Sequence, residues 1–252
     1  MNTNPQTNIS NLMDMIGKMN KTTSILPFNL MRAKSEAKKL LKTDEPYQGY
    51  LCLAALSVFD QKPIEDRLAK IEEYLSKVRL LPHDVHNYFT IYCNCLVRLG
   101  ERERAYLVVD EYVNILTDNV NALRGCLEYT RFTGQIMLSE KIMDKLNKLG
   151  KDMMADIKEM QYIKTLISEP YLKELLVQAG KILRDHDLIN YGSVRQIIEN
   201  EFFYELTVLP DSDENQVAIC DIELSRLKIR FAREKGLDLS KFVLGCAIGD
   251  VN

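Results

Sequence analysis

Tryptophan is absent from this chain of 252 residues, and glycine and proline are scarce, at 11 and 7. So few turn-formers exclude a many-stranded sandwich and point to long helical stretches. There are three histidines, His83, His86 and His186, and none belongs to an H-E-x-x-H motif. The patterns G-x-x-x-x-G-K-S/T, G-x-G-x-x-G and G-x-S-x-G are also missing, so no phosphate loop, dinucleotide turn or nucleophile elbow is encoded. No cofactor is expected, and no enzymatic activity. No apolar run approaches the roughly 18 residues of a spanning helix, so a membrane partner is not expected. A net charge of −3 supplies no positive field to attract nucleic acid, which counts against an RNA or DNA partner.

Cys52, Cys93, Cys95, Cys126, Cys220 and Cys246 form no C-x-x-C pair and sit mostly within apolar patterns. They are expected as buried thiols of a reducing cytoplasm. The opening "MNTNPQTNIS" lacks the basic-then-apolar order of a secretory signal and is expected to be a flexible tail over residues 1–10.

What the chain does carry is helical periodicity. Residues 11–22 place Leu12, Met15, Ile16 and Met19 on one face. Helices are expected over about 30–42, 47–59 and 64–81, with Pro63 opening the last. Over 85–98, Phe89, Tyr92, Cys93, Leu96 and Leu99 form one apolar stripe. After Gly100, Ala105, Val109, Tyr112 and Leu116 form another over 102–116. The pattern then recurs. Leu123, Cys126, Leu127 and Phe132 make a stripe, Gly134 a turn, and Ser139, Met143 and Leu146 a second stripe. Gly100 and Gly134 are 34 residues apart, and Phe89 matches Leu123, Ala105 matches Ser139, Val109 matches Met143 and Tyr112 matches Leu146.

On that period and those residues, 86–153 resembles a pair of tetratricopeptide repeats, with 47–81 as a degenerate repeat before them. The small Ala105 and Ser139 stand where that family packs its paired helices closely. Phe89 or Leu123 replaces its usual tryptophan, and Thr117 or Lys151 its closing proline. The alternative is a plain helical bundle. Stacked hairpins need covered ends, and two further helices are expected to supply them: "DMMADIKEMQYIKTLI", and one from Pro170 with Ser168 as N-cap and Leu172, Leu175, Leu176, Ala179 and Leu183 inward.

The character changes near residue 189. "FFYELTVLP" alternates, with Phe202, Tyr204, Leu206 and Val208 on one face and Glu205 and Thr207 on the other. Asn200-Glu201 is expected to turn a hairpin. Its first arm, 193–199, is either a strand or a helical turn capped by Ser193. A helix over 214–235, closed by Gly236, and an apolar "KFVLGCAIGD" strand complete a β-β-α-β module. The fold expected is therefore mostly α: a tail over 1–10, a helical-repeat domain over 11–188, and a small α+β module over 189–252.

The repeat resemblance implies a concave face lined by the first helix of each unit. It would offer Asn87, Thr90, Asn94 and Arg98, then Asn121, Arg124, Glu128 and Arg131. Asparagine can clamp a peptide backbone through paired donor and acceptor groups, and arginine can grip a carboxylate bidentately. A protein or peptide partner is expected there, as for an adaptor, a chaperone-like subunit or a regulator. Arg98→Glu with Arg124→Glu is expected to weaken it without altering unfolding. The sheet edge is expected to admit a partner strand or a second copy, giving a homo-oligomer. The rival reading is an antitoxin or immunity-type protein that neutralises its partner with an acidic face built from Asp211, Asp213, Glu214 and Asp221. Last is an enzyme or nucleotide-binding protein with a pocket at His83/His86 or His186. "HDVH" (83–86) puts two imidazoles in one turn, but Asp84 as an N-cap accounts for it without a metal.

Overall fold

The computed structural model describes residues 12, 27–115 and 118–249. The helix expected over 11–22 lies outside them except for Leu12, which is helical and buried; the tail over 1–10 lies outside them too. The described helices are α1 (Pro27–Leu40), α2 (Pro46–Ser57), α3 (Ile64–Arg79), α4 (Val85–Arg98), α5 (Arg102–Ile115), α6 (Val120–Thr133), α7 (Ile136–Lys148), α8 (Met154–Leu166) and α9 (Glu169–Asp185). Strands β1 (Asn190–Ile198) and β2 (Glu201–Val208), helix α10 (Glu214–Lys235) and strand β3 (Phe242–Ile248) follow. The chain is thus mostly helical with a small C-terminal α+β module.

Local chemistry sets the helix ends. Asp84 accepts the Asn87 N–H at 2.9 Å and opens α4. Asn119 opens α6 by accepting from Asn121 and Ala122, and Asp213 opens α10 by accepting from Asn215 and Gln216. Each satisfies donors that a helix start leaves orphaned. Ser168 occupies the position before α9, but its side chain makes no capping bond. Three helices of the stack close alike. Gly100, Gly134 and Gly150 lie at φ 74°, 76° and 76°, and the following N–H reaches back from Glu101 to Leu96, from Gln135 to Thr130 and from Lys151 to Leu146. That is the left-handed glycine C-cap, repeated at the end of both expected repeats' helices.

Helices α1 to α8 form a stack in which successive helices touch, and α2 touches α4 as α4 touches α6. Ala105 and Ser139 are both fully buried. The Ser139 hydroxyl satisfies itself on the Gln135 carbonyl and the Thr130 hydroxyl, so a polar residue fits at a helix–helix contact. Phe89 stacks on Tyr112 with centroids 5.1 Å apart, joining α4 to α5 through two residues of the expected stripes.

Helix α9 departs from the expected arrangement. It does not extend the stack as an end cap; it lies across the turns, touching α5, α6 and α10. Gly134 sits on Leu172 and Lys173, and Gly100 on Gly180. A Cβ built on Gly180 would stand 2.6 Å from the Gly100 carbonyl oxygen, so the two backbones approach in a way only glycine permits. The apolar face of α9 (Leu172, Leu175, Leu176, Ala179, Leu183) is buried as its spacing predicts.

In the sheet, β1 pairs antiparallel with β2, and β3 lies parallel to β2 after the α10 crossover, in the order β1-β2-β3. Residues 193–198 resolve as strand, within β1. The hairpin turn is Glu199-Asn200, at φ 51° and 66°, one residue earlier than expected. Two consecutive positive φ angles match the right-handed twist of the arms. Phe202, Tyr204, Leu206 and Val208 are buried together with Phe242 and Leu244. Burial of each such side chain is worth about 1.5–3 kcal/mol. One core runs unbroken from the stack into the sheet, across the change of character near residue 189.

Two glycine substitutions separate the backbone term from the packing term. Gly150→Ala, with open space around its Cβ, should cost about 1 kcal/mol for the left-handed backbone alone. Gly100→Ala must also displace Gly180, and should cost about 3–5 kcal/mol in total. Urea unfolding midpoints of the two variants measure the difference.

Candidate functional site

The expected concave-face residues divide into two groups. At the N-terminal ends of α4 and α6, Asn87, Thr90, Asn121 and Arg124 are exposed. Among the described residues, Arg124 has no ion pair. Toward the C-terminal ends the face is filled. Asn94 is half-buried, and the Tyr129 hydroxyl near it donates to the Thr90 carbonyl at 3.2 Å. Arg98 is half-buried, with its guanidinium 5.6 Å from the Phe59 ring centroid, and burial lowers its pKa. Arg98→Glu would therefore place a carboxylate on an aromatic ring in the interior. It is a folding mutation and not a clean probe of binding.

The filling comes from the C-terminal hairpin. Strand β1 touches α4, and its Arg195 Nη2 donates to Glu128 of α6 at 2.7 Å. Arg195 Nε lies 3.5 Å from Glu159 of α8. The Tyr162 hydroxyl on α8 donates to the Asn200 carbonyl in the hairpin turn. Beneath it, Arg131 is buried and pairs with Glu128 at 3.1 Å and with Asp156, while Tyr204 on β2 donates to the Arg131 carbonyl at 3.4 Å. Of the predicted residues, then, the exposed Glu128 and the buried Arg131 form one network with each other and with β1.

Phe132 lies between two cations. The guanidiniums of Arg102 and Arg195 stand 5.9 and 6.0 Å from its centroid. Such contacts offset part of the cost of taking arginine out of water. Arg102, 1% exposed, donates through Nη1 to the Phe132 carbonyl. Two guanidiniums, Arg131 and Arg195, face three carboxylates, Glu128, Asp156 and Glu159. Burial dominates at Glu159 and raises its pKa above the ordinary glutamate value, against the pull of Arg195 and Arg131. Arg195 and Glu159 carry no role in the sequence reading, and Phe132 appears there only as a member of the apolar stripe of α6.

The remaining candidates separate. His83 Nδ1 lies 2.8 Å from the Leu81 carbonyl, and His86 Nδ1 lies 3.3 Å from the Tyr112 hydroxyl, so the two imidazoles of "HDVH" serve different neighbours. His186 faces Glu223 at 3.2 Å. No group of three or more metal-ligating side chains occurs among the described residues. All six cysteines are buried, and burial pushes the Cys52 and Cys126 thiols up to about 12. Asp221 does not join Asp211, Asp213 and Glu214 in an acidic face; it accepts the Cys246 N–H at 2.8 Å, at the edge strand β3. Asp211 and Asp213 instead line a surface cleft of about 290 Å³ with Asp60, Asp187 and the buried Arg67. None of the described helices is long and apolar enough to cross a membrane.

The ionisation of Glu159 gives a pH signature. Its raised folded pKa means that the ionised form disfavours folding above that pKa, and that protonation relieves the penalty as pH falls through it. Glu159→Gln should therefore be at least as stable as wild type at pH 7. That advantage should shrink as pH falls toward 4.5. Chemical unfolding of both proteins between pH 4 and 8 measures the trend.

No family model matches the chain, and no curated protein or solved structure matches it either.

Proposed function

We propose that this is a non-enzymatic interaction protein, a tetratricopeptide-like adaptor or chaperone-like regulator. It would bind an extended, carboxylate-bearing peptide at the open end of the concave face. The observation that carries the reading is the division of that face. An extended segment, β1, already lies across α6 and α8, held by an arginine–carboxylate pair and a tyrosine–carbonyl bond. The adjoining row of Asn87, Thr90, Asn121 and Arg124 is exposed, and Arg124 has a guanidinium with no described ion pair. Asparagine and arginine at helical spacing supply backbone-clamping amides and a bidentate carboxylate grip. The 34-residue register and the matching glycine caps support the family resemblance.

A second reading is favoured by the cleft at Asp60, Asp187, Asp211 and Asp213. Four carboxylates, two of them paired with Lys34 and Arg67, would leave an acidic excess that suits a basic partner, as in an antitoxin or immunity-type protein.

The test is a pull-down from the source cells with wild type, Asn121→Ala/Arg124→Glu and Asp211→Lys/Asp213→Asn. The first reading expects one partner to be lost at least ten-fold with the groove variant, while that variant's unfolding midpoint stays within about 0.5 kcal/mol of wild type. Loss only with the cleft variant selects the second reading. A partner retained by both variants refutes both.

A further inference from the structure

Strand β1 pairs with β2 on one side and presents a free edge on the other. Its two-residue turn, Glu199-Asn200, makes Ile198 and Glu201 a hydrogen-bonded pair, and such pairs alternate along antiparallel arms. Ser193, Arg195 and Ile197 therefore direct their backbone N–H and C=O groups away from β2. Among the described residues, none of these groups bonds to the backbone of another element. Two contacts show which way the edge faces. Arg195 meets Glu128 on α6, while Tyr204, directly across from it on β2, meets the carbonyl of Arg131. The step from β2 to β1 thus advances three residues toward the N-terminus of α6, about 4.5 Å, which matches the spacing of about 4.8 Å between strands. One further step of that size passes over Gly125 and Arg124.

The strip beyond the edge has its own chemistry. Arg124 on α6 and Lys158 on α8 are exposed and have no ion pair among the described residues. Each stands one turn before a residue that holds the hairpin, Glu128 through Arg195 and Tyr162 through the Asn200 carbonyl. The two cations therefore lie along one path parallel to β1. Beside Arg124, Gly125 sits in mid-helix, where glycine is the poorest helix former after proline. A Cβ there would meet nothing within 4 Å, so no contact inside the chain requires the glycine, and the gap leaves room for an incoming backbone. On the outer surface of the sheet, Val194 and Ile198 are 42% and 44% exposed. They point away from the side that Arg195 faces, since successive strand residues alternate.

We propose that the free edge of β1 is a strand-addition site for an extended acidic peptide; this rests on the groove reading above and gives it a partner chemistry and a binding mode. The peptide backbone bonds to the outward groups of Ser193, Arg195 and Ile197 and extends the sheet by one strand. Alternate side chains face the stack, where carboxylates meet Arg124 and Lys158. The residues between them are β-branched and pack beside Val194 and Ile198 as cross-strand neighbours. Main-chain bonds supply affinity, and the two cations supply the preference for acid. Charge also decides against a second copy of β1 as the occupant. The segment Asn190–Ile198 carries one arginine and no carboxylate, so it would add a cation to a strip that already holds two.

The probe is a fluorescein-labelled, end-blocked Val-Glu-Val-Glu-Val-Glu-Val peptide, titrated with the full chain up to about 300 µM and followed by anisotropy. Wild type should bind it saturably, and Arg124→Glu and Lys158→Glu should each weaken binding at least about ten-fold. Gly125→Gln fills the gap and should weaken binding as much, while its unfolding midpoint stays at or above that of wild type because glutamine is the better helix former. N-methylation of the peptide separates strand pairing from a contact between charges alone. Methylating one alternate set of amides, either the glutamates or the valines, should abolish binding, and methylating the other should leave it within about three-fold, because only every second amide faces β1. Equal effects of the two methylated peptides overturn strand addition; if Arg124→Glu still abolishes binding, the groove reading survives that result. A wild type that does not bind the probe, or binding indifferent to Gly125→Gln, also overturns strand addition, and the pull-down then decides the groove by itself. A chain that dimerises without peptide and is made monomeric by Gly125→Gln assigns the edge to a second copy and overturns the proposal as well.

Discussion

The contact between Gly100 and Gly180 governs how the rest of the molecule is assembled. Two backbones meet at a separation that leaves no room for a Cβ on either, so α9 can rest directly on the turn between α4 and α5. The same helix covers the Gly134 turn two helical turns earlier, at Leu172 and Lys173. Around the glycine contact, Arg184 pairs with Glu101, and the stem of Arg102 fills the space beside Gly180. A strap seated on successive turns fixes their spacing. It also fixes where the chain leaves the stack, and therefore where the sheet is delivered.

From the end of α9 the chain runs into β1, which passes over the face formed by α4, α6 and α8. Docking an extended strand against that face buries Arg131 and most of Arg195, and the structure meets the cost by combination. Carboxylates on three sides, a ring between two guanidiniums, and backbone carbonyls as acceptors each contribute. With three acids to two bases, one carboxylate is in excess, and Glu159 is the one whose ionisation burial opposes. The face that would be a continuous groove in a simple stack is thereby shortened to its N-terminal end.

Much of the fold was legible before any coordinates. Amphipathic stripes placed the helices because burial selects one face every 3.6 residues, and strict alternation placed β2 for the same reason at period two. Asp84 marks a helix start through a bond made within three residues, whereas Ser168, expected to do the same, makes none, and Gly100 and Gly134 mark ends through their own φ angles. All of these depend only on neighbours in the chain. The hairpin turn was misplaced by one residue because Glu199-Asn200 lacks glycine, so the left-handed pair had no compositional marker. The site was less legible. Asn87, Asn121 and Arg124 are exposed as their register implied, whereas Arg98, Glu128 and Arg131 are engaged within the chain. Their partners Phe59, Arg195 and Asp156 are up to 67 residues away, and helical spacing carries no information about them.

The sequence by itself determined most of the local order: where the helices and the strand at 202–208 lie, the 34-residue register, and the change of character near residue 189. Periodicity and capping are short-range and can be read along the chain. Only the tertiary structure decided that α9 straps the turns and does not cap the stack, and that β1 fills half of the concave face. Those outcomes depend on backbone approach at two glycines 80 residues apart and on the pairing of buried charges. Distance along the sequence hides each of these, and packing in space settles them.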